Sequence, residues 1–267
     1  MKKKKFAIAG IGYIAYKHLE AIQKVDGELI AAIDVRDSVG ILDNYFPDCK
    51  FFRDMPEFEN YLEEDRVDYL TICTPNHCHL YYLTMADRVS AEAICEKPMV
   101  QSLEWLHMAT NNANVILQMR EDAPVVNAIK SIQSDVYIYY STPRGDWYSK
   151  SWKGNDELSG GLLTNIGIHL FDLAIYCFGK PSKPKIYEYT DTHSAGEFYA
   201  GKKRVEWYLA IDRKTKERSF NNMEIGLRKD LHIESYNKIL MGKGWHKKDI
   251  KPAMELINDY REIIKNL

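Results

Sequence analysis

The 267-residue chain has no apolar run approaching the roughly 20 residues that a bilayer-spanning helix needs, so no transmembrane segment is expected. It also lacks an excess of either charge. Its 36 basic and 38 acidic residues give a formal net charge of -2, which argues against bulk attraction to nucleic acid or to an acidic membrane. Cysteine is sparse: Cys49, Cys73, Cys78, Cys95 and Cys177 are odd in number, irregularly spaced and without a CxxC pair, so a disulfide framework is not expected. Three of them (Cys73, Cys95, Cys177) sit in apolar runs as small hydrophobes, which points to a cytoplasmic protein. No serine stands in a nucleophile-elbow setting, which disfavours hydrolase chemistry. His77-Cys78-His79 is not joined by further ligands at metal-binding spacing, and at a helix start its side chains diverge, so no metal is expected. The Lys2-Lys3-Lys4-Lys5 run precedes apolar residues, as in a signal peptide. Gly10 and Gly12 break that stretch, however, and no small-residue cleavage site follows; the lysines read as the solvated start of a strand. There is no internal repeat and no low-complexity segment.

What is present is a large apolar fraction, 45% of residues, with 12% aromatic, enough for one big domain or two modest ones. Short apolar runs at Phe6–Ala9, Leu29–Ile33, Phe51–Phe52, Tyr69–Cys73, Ala93–Cys95 and Val115–Leu117 alternate with amphipathic stretches. Strands apolar at every position, separated by helices, predict a parallel sheet covered on both faces: a doubly wound Rossmann α/β domain. After about residue 118 the pattern changes to partly alternating aromatic and β-branched runs, at Val136–Tyr140, Lys185–Tyr189 and Val205–Ile211. These predict a mostly antiparallel open sheet in a second, α+β domain. One apolar helix, Ile168–Phe178, stopped by Gly179, interrupts them, and a last helix is expected from Pro252 onward. The boundary is drawn at 1–118 and 119–267.

Gly10-Ile11-Gly12-Tyr13-Ile14-Ala15 fits G-x-G-x-x-[GA] between the first strand and the first helix. The first glycine permits the turn, the second lets backbone N–H groups approach a pyrophosphate, and Ala15 lets the helix pack close to the strand. Asp34 ends the second strand, where a carboxylate accepts from adenosine ribose hydroxyls and repels a 2′-phosphate. The pair predicts NAD rather than NADP, with Arg36 softening the preference.

Two further segments carry chemistry. Cys95-Glu96-Lys97-Pro98 closes a strand at its carboxyl end, where ligands of open α/β sheets bind. In Gly160 to Asp172, the polar His169, Asp172 and Tyr176 recur at i, i+3 and i+7 on an otherwise apolar helix, with Asn165 one turn before His169. Such a face is costly to bury unless its groups are partnered, so it is either a satisfied structural network or a functional face.

These segments, together with Cys73-Thr74-Pro75-Asn76 and His79, resemble the glucose-fructose oxidoreductase / inositol dehydrogenase (Gfo/Idh/MocA) family along the whole chain. Within that family the chain is most similar to the UDP-N-acetylglucosaminuronate 3-dehydrogenases of nucleotide-sugar and lipopolysaccharide biosynthesis. That similarity is carried by Thr142 to Tyr148, Ser151-Trp152-Lys153-Gly154 and Thr164-Asn165-Ile166-Gly167, with Asp212 and Asp230-Leu231-His232 fitting the same branch. The resemblance implies that Gly10, Gly12, Tyr13, Ile14, Asp34, Thr74, Pro75, Asn76, His79, Glu96 and Lys97 line the NAD site. It implies Lys97 and His169 as the catalytic pair, with Asn165, Arg144, Trp147, Tyr148, Trp152 and Lys153 toward substrate. The implied partners are a small-molecule nucleotide sugar, 2-oxoglutarate as the reoxidant of NADH, and further copies of the chain in a homodimer or homotetramer; nucleic acid and membrane are not among them. A near-neutral imidazole suits removal of the hydroxyl proton, and a lysine suits the developing alkoxide.

The chain departs from the branch in apparent losses before Val115, near Ser131 to Asp135 and around Phe220 to Ile225. Asp146 and Glu121-Asp122 stand where other side chains are expected, which bears on anionic-substrate binding. Two alternatives stay open: a free-sugar or inositol dehydrogenase of the wider family, and a non-catalytic NAD-sensing regulator. Retention of both Lys97 and His169 speaks against the regulator.

Overall fold

Six short strands, apolar at nearly every position, form one parallel sheet: β1 (Lys5–Ala9), β2 (Glu28–Ile33), β3 (Lys50–Phe52), β4 (Tyr69–Ile72), β5 (Glu92–Cys95) and β6 (Ala113–Val115). Their order is β3-β2-β1-β4-β5-β6. Phe6 to Ala9 and all of β4 are buried, which is why these strands show no apolar–polar alternation. The order reverses between β1 and β4, so a crevice opens at their carboxyl ends. The sixth strand lies two residues earlier than its apolar run suggests. Ladder pairing needs an opposite residue, and β5 ends at Cys95, opposite Val115; Ile116 and Leu117 are buried beyond the ladder.

This is a computed structural model describing residues 3–37, 40–226 and 228–267; Lys2 of the opening lysine run lies outside them. The chain divides into two units. The first comprises Met1–Val100, Trp105–Leu117 and Lys229–Lys247; the second comprises Gln101–Glu104, Gln118–Arg228 and Lys248–Leu267. A single boundary at residue 118 therefore does not describe the chain, because 229–247 return to the first unit. The helix Leu231–Leu240 places Tyr236 and Ile239 in one core with Phe6, Ile8, Leu19 and Ile22. Its apolar stripe signals burial but not which core receives it.

The second unit is built on β7 (Val136–Ser141), β8 (Pro181–Tyr189), β9 (His193–Ala200), β10 (Lys203–Ala210), β11 (Glu217–Phe220) and β12 (Met223–Glu224), ordered β12-β11-β7-β10-β9-β8. All neighbours are antiparallel except β7 and β10, which run parallel in register from Val136 opposite Val205. Strands β9, β11 and β12 were not among the expected runs. Ser194, Gly196 and Ala200 on the buried face of β9 are too small or polar to mark it as apolar. The helix Ile168–Phe178 presses Phe171 against Phe198 (5.8 Å between ring centroids) and Trp207 (5.1 Å). The last helix begins at Lys247 rather than Pro252, so Pro252 lies inside it and removes one bond of the ladder. One stretch, Asp156–Phe178, is by length and composition apolar enough to cross a membrane, contrary to the reading of the sequence. It is mostly buried within the unit, as the core helix of a globular domain is.

Candidate active site

The glycine turn lies at the β1–β4 switch point. Gly10 has φ +90, and a Cβ there would meet the Cys73 carbonyl carbon and the Thr74 nitrogen at 2.8 Å, so only glycine lets the β1 end pass this close to the β4 end. A Cβ on Gly12 would meet nothing within 4 Å, which leaves open room in front of the turn for a phosphate. Asp34 accepts from the Ile11 N–H (2.6 Å) and the Arg36 N–H (2.9 Å), so it closes the turn onto the end of β2. A carboxylate has lone pairs beyond these two, which remain for ribose hydroxyls. Tyr13 is exposed and Ile14 half-buried in the turn just before the helix Ala15–Lys24. At the β4 end the Thr74 hydroxyl is buried without a hydrogen-bond partner. Close glycine, open glycine, acidic strand end and orphaned hydroxyl together fit a dinucleotide along this crevice.

His79, expected among the cofactor contacts, is buried, and both ring nitrogens are engaged by protein: Nδ1 lies 2.8 Å from the Pro98 carbonyl and Nε2 2.9 Å from the Thr74 carbonyl. It spans the β4 and β5 ends, with both ring nitrogens facing protein carbonyls; the neutral ring donates its one N–H to one of the two. Burial pushes its imidazole below the ordinary value, against the pull of the two carbonyls.

Glu96 is buried too. One carboxylate oxygen, Oε1, lies 3.0 Å from Nε2 of His18 and 3.0 Å from Nε2 of His232, and Oε2 accepts from the Lys97 N–H at 3.3 Å. Burial alone would push this carboxyl up, but the two imidazole donors hold it well below the usual carboxylate range. His18 continues through Nδ1 to the Tyr236 hydroxyl (3.0 Å), which pairs with the Thr71 hydroxyl (2.9 Å). Ligand atoms of His18, Glu96 and His232 lie within 4.8 Å of one another, a spacing also open to a metal ion. The carboxylate and both Nε2 atoms already satisfy one another, so the group holds together without an ion. His18 carried no functional expectation, and its spacing reads simply as core helix.

In the second unit, Leu163–Gly167 forms a π-turn leading into the helix Ile168–Phe178. Turns of this kind recur at functional sites. From Gly161 to Leu170 every residue is buried except Asn165 and His169, which are partly exposed. Asp172, read on the same face, is instead sealed in a bidentate pair with Arg120 (2.8 and 2.5 Å), and the Arg120 guanidinium lies over the Tyr176 ring. Asp172 and Tyr176 thus form the structural network, and Asn165 and His169 the accessible pair.

The loop before this helix gathers the expected substrate side chains. Arg144 lies over the rings of Trp147 (5.7 Å) and Tyr148 (5.6 Å), and Lys153 over Trp147 (5.9 Å) and Trp152 (5.6 Å). Neither cation has a carboxylate partner among the described residues, and burial together with Arg144 lowers the Lys153 ammonium from its usual value. The buried Tyr148 hydroxyl accepts from Asn165 Nδ2 at 3.3 Å, joining this loop to the π-turn.

Residues 4–120 match the family profile described as an oxidoreductase family with an NAD-binding Rossmann fold. Residues 127–218 match the C-terminal alpha/beta domain of that family. Among solved structures, the WlbA (WbpB) dehydrogenase from Thermus thermophilus in complex with NAD and UDP-GlcNAcA is 36% identical over 95% of this chain and 93% of that one, with a TM-score of 0.88. The same dehydrogenase is known in complex with NAD and alpha-ketoglutarate. Two curated proteins are more distant. The D-apiose dehydrogenase of Paraburkholderia graminis is 25% identical over 67% of this chain and 51% of its own length. The glucose-6-phosphate 3-dehydrogenase of Bacillus subtilis is 27% identical over 66% and 54%. The matches span about half the length of these curated relatives.

Proposed function

Because the chain belongs to the glucose-fructose oxidoreductase / inositol dehydrogenase family of NAD-binding oxidoreductases, we propose that it oxidises the C3 hydroxyl of UDP-N-acetylglucosaminuronate to the 3-keto sugar. The observation that carries the substrate class is the pair of uncompensated cations, Arg144 and Lys153, framed by Trp147, Tyr148 and Trp152. Two like charges held together without a carboxylate are costly unless a ligand supplies the anion, and a sugar acid on a diphosphate brings three anionic groups. The aromatic faces suit the sugar and base. The relative solved with UDP-GlcNAcA points the same way.

In this reading His169 accepts the hydroxyl proton, and Lys97 donates a hydrogen bond to the oxygen as its charge develops. Asn165 orients the sugar and, through Tyr148, the anion-binding loop. Bound NAD supplies the hydride acceptor for the carbinol C–H. A 2-oxo acid such as 2-oxoglutarate is the proposed reoxidant of NADH, in line with the relative's second complex. The protein is proposed to act in the cytoplasm as a homodimer or homotetramer. The outward face of the second sheet, with Tyr137 and Tyr187 exposed beside the stacked Tyr139 and Tyr208, suits a second copy. The sugar dehydrogenases among the curated relatives favour one alternative, oxidation of a sugar without a nucleotide.

The test compares UDP-N-acetylglucosaminuronate, UDP-N-acetylglucosamine, myo-inositol and glucose 6-phosphate, each with NAD, by NADH absorbance without 2-oxoglutarate and by product analysis with it. The sugar acid should turn over best, and Arg144→Ala should raise its KM. His169→Ala and Lys97→Ala should each lower kcat by on the order of 10² to 10⁴. Preference for inositol or glucose 6-phosphate, with no effect of Arg144, would select the alternative.

A further inference from the structure

We propose that His18 and His232 are positioning residues for Lys97, acting through the Glu96 carboxylate. The proposal rests on the reading that Lys97 bonds the substrate oxygen. It assigns a role in that step to two buried histidines whose hydrogen-bond partners are Glu96 and Tyr236.

The direction of each hydrogen bond follows from the acceptor at the centre. An ionised carboxylate only accepts, so Nε2 of both His18 and His232 must carry the proton it shares with Oε1. A neutral His18 then has a bare Nδ1, which takes the hydrogen of the Tyr236 hydroxyl, and the Tyr236 oxygen in turn takes that of Thr71. Burial favours this neutral His18. From Thr71 to Glu96 every donor has one acceptor and the chain runs in one sense. Thr71 comes from β4, His18 from the helix Ala15–Lys24, and Tyr236 and His232 from the helix Leu231–Leu240. Three elements thus fix the plane of one carboxylate, whose free oxygen holds the main-chain N–H of Lys97. On the other side of Lys97, the Pro98 carbonyl faces Nδ1 of His79. With its proton on Nδ1, His79 would anchor the backbone on that side of the lysine as well.

Stability alone does not call for this arrangement. A buried carboxylate with two imidazoles is often no more stable than apolar side chains of the same volume. Moreover, Nδ1 of His232 is buried with no hydrogen-bond partner, a cost that a purely packing role would shed. What the ionised Glu96 supplies, and a leucine would not, is a directed hold on the next residue. Small misplacements of a reacting group cost rate steeply, on the order of 10²-fold for about 1 Å.

The experiment uses the full chain with His232→Ala, His232→Gln, His18→Gln, Lys97→Ala and Tyr260→Phe. Gln places an N–H where the imidazole Nε2–H stood. Tyr260→Phe removes a buried hydroxyl of the second unit, bonded to Trp207 and to the Glu197 carbonyl, and serves as a stability-matched control. His232→Ala should lower kcat on the order of 10²-fold with KM and the calorimetric Kd for NAD unchanged, and the Gln variants should recover most of that loss. In the protein without ligands, amide hydrogen exchange at Lys97 should quicken in His232→Ala and not in Tyr260→Phe. A drop in Tm with kcat and Lys97 exchange unmoved, a loss appearing in KM, or failure of Gln to rescue would overturn the positioning role. Wild-type turnover by Lys97→Ala would instead overturn the reading of Lys97 itself, whatever the histidine variants do.

Discussion

At the scale of single residues, Asp34 has a structural task that bears on the cofactor preference expected of it. Its two oxygens bind the N–H groups of Ile11 and Arg36, so the carboxylate is fixed before any ligand arrives. A fixed negative charge at the end of β2 would accept ribose hydroxyls and repel a 2′-phosphate. The protein should therefore bind NAD at least about tenfold more tightly than NADP, a difference of about 1.4 kcal/mol. Asp34→Asn should narrow that ratio while keeping the turn largely closed. Calorimetric titration of both cofactors checks this, and tighter binding of NADP to the wild type would refute it. His79 makes the complementary case: a polar residue near the site whose ring nitrogens both face protein carbonyls.

At the scale of elements, the π-turn Leu163–Gly167 depends on the two glycines before it. Gly160 and Gly161 have φ +83 and +75, a region that L side chains adopt at a cost. A Cβ on Gly160 would also meet the Thr164 side chain at 2.8 Å, and the Gly160 carbonyl accepts from Arg261 at 2.8 Å. Gly160→Ala should lower stability by about 1–2 kcal/mol from the backbone alone, and it should raise the substrate KM because Asn165 rides on the turn. Urea unfolding with an unchanged m-value, beside steady-state kinetics, reads both effects. A variant as stable and as active as the wild type would show that the turn tolerates a different entry.

For the whole molecule, the buried polar network predicts how stability depends on pH. His18 has its pKa lowered from 6.5, chiefly by burial, so between about pH 6.5 and its folded value only the unfolded chain takes up the proton. Its contribution is complete above about pH 6.5 and declines as pH falls. Glu96 is depressed well below 4.5, through His18 and His232 and against the effect of burial. Its contribution is present above about pH 4.5 and is lost as pH falls toward the folded value. Both terms have one sign, each at most about 1.4 kcal/mol per pH unit. Calorimetric Tm should fall steadily from pH 7 to pH 4, and His18→Gln should flatten the upper part of that slope. A Tm that rises on acidification over this interval would contradict the network.

Patterns that act over a few residues were legible in the sequence. Strands buried on both faces are apolar at every position, so β1, β2, β4 and β5 and the parallel sheet could be read directly, and with them the glycine turn and Asp34. Asn165 and His169 could be read together from their spacing of four residues, although Asn165 lies in the π-turn and only His169 in the helix. What lay beyond reach depends on distant partners. The sequence marked Asp172 as polar on an apolar helix, but only tertiary packing brings Arg120 to it from 52 positions away. The return of residues 229–247 to the first unit was invisible for the same reason. An amphipathic stripe states that a helix will be buried and not against which core, so Tyr236 and His232 met His18 and Glu96 only through the fold. Local chemistry determined which elements form; long-range contact decided which polar groups became scaffold.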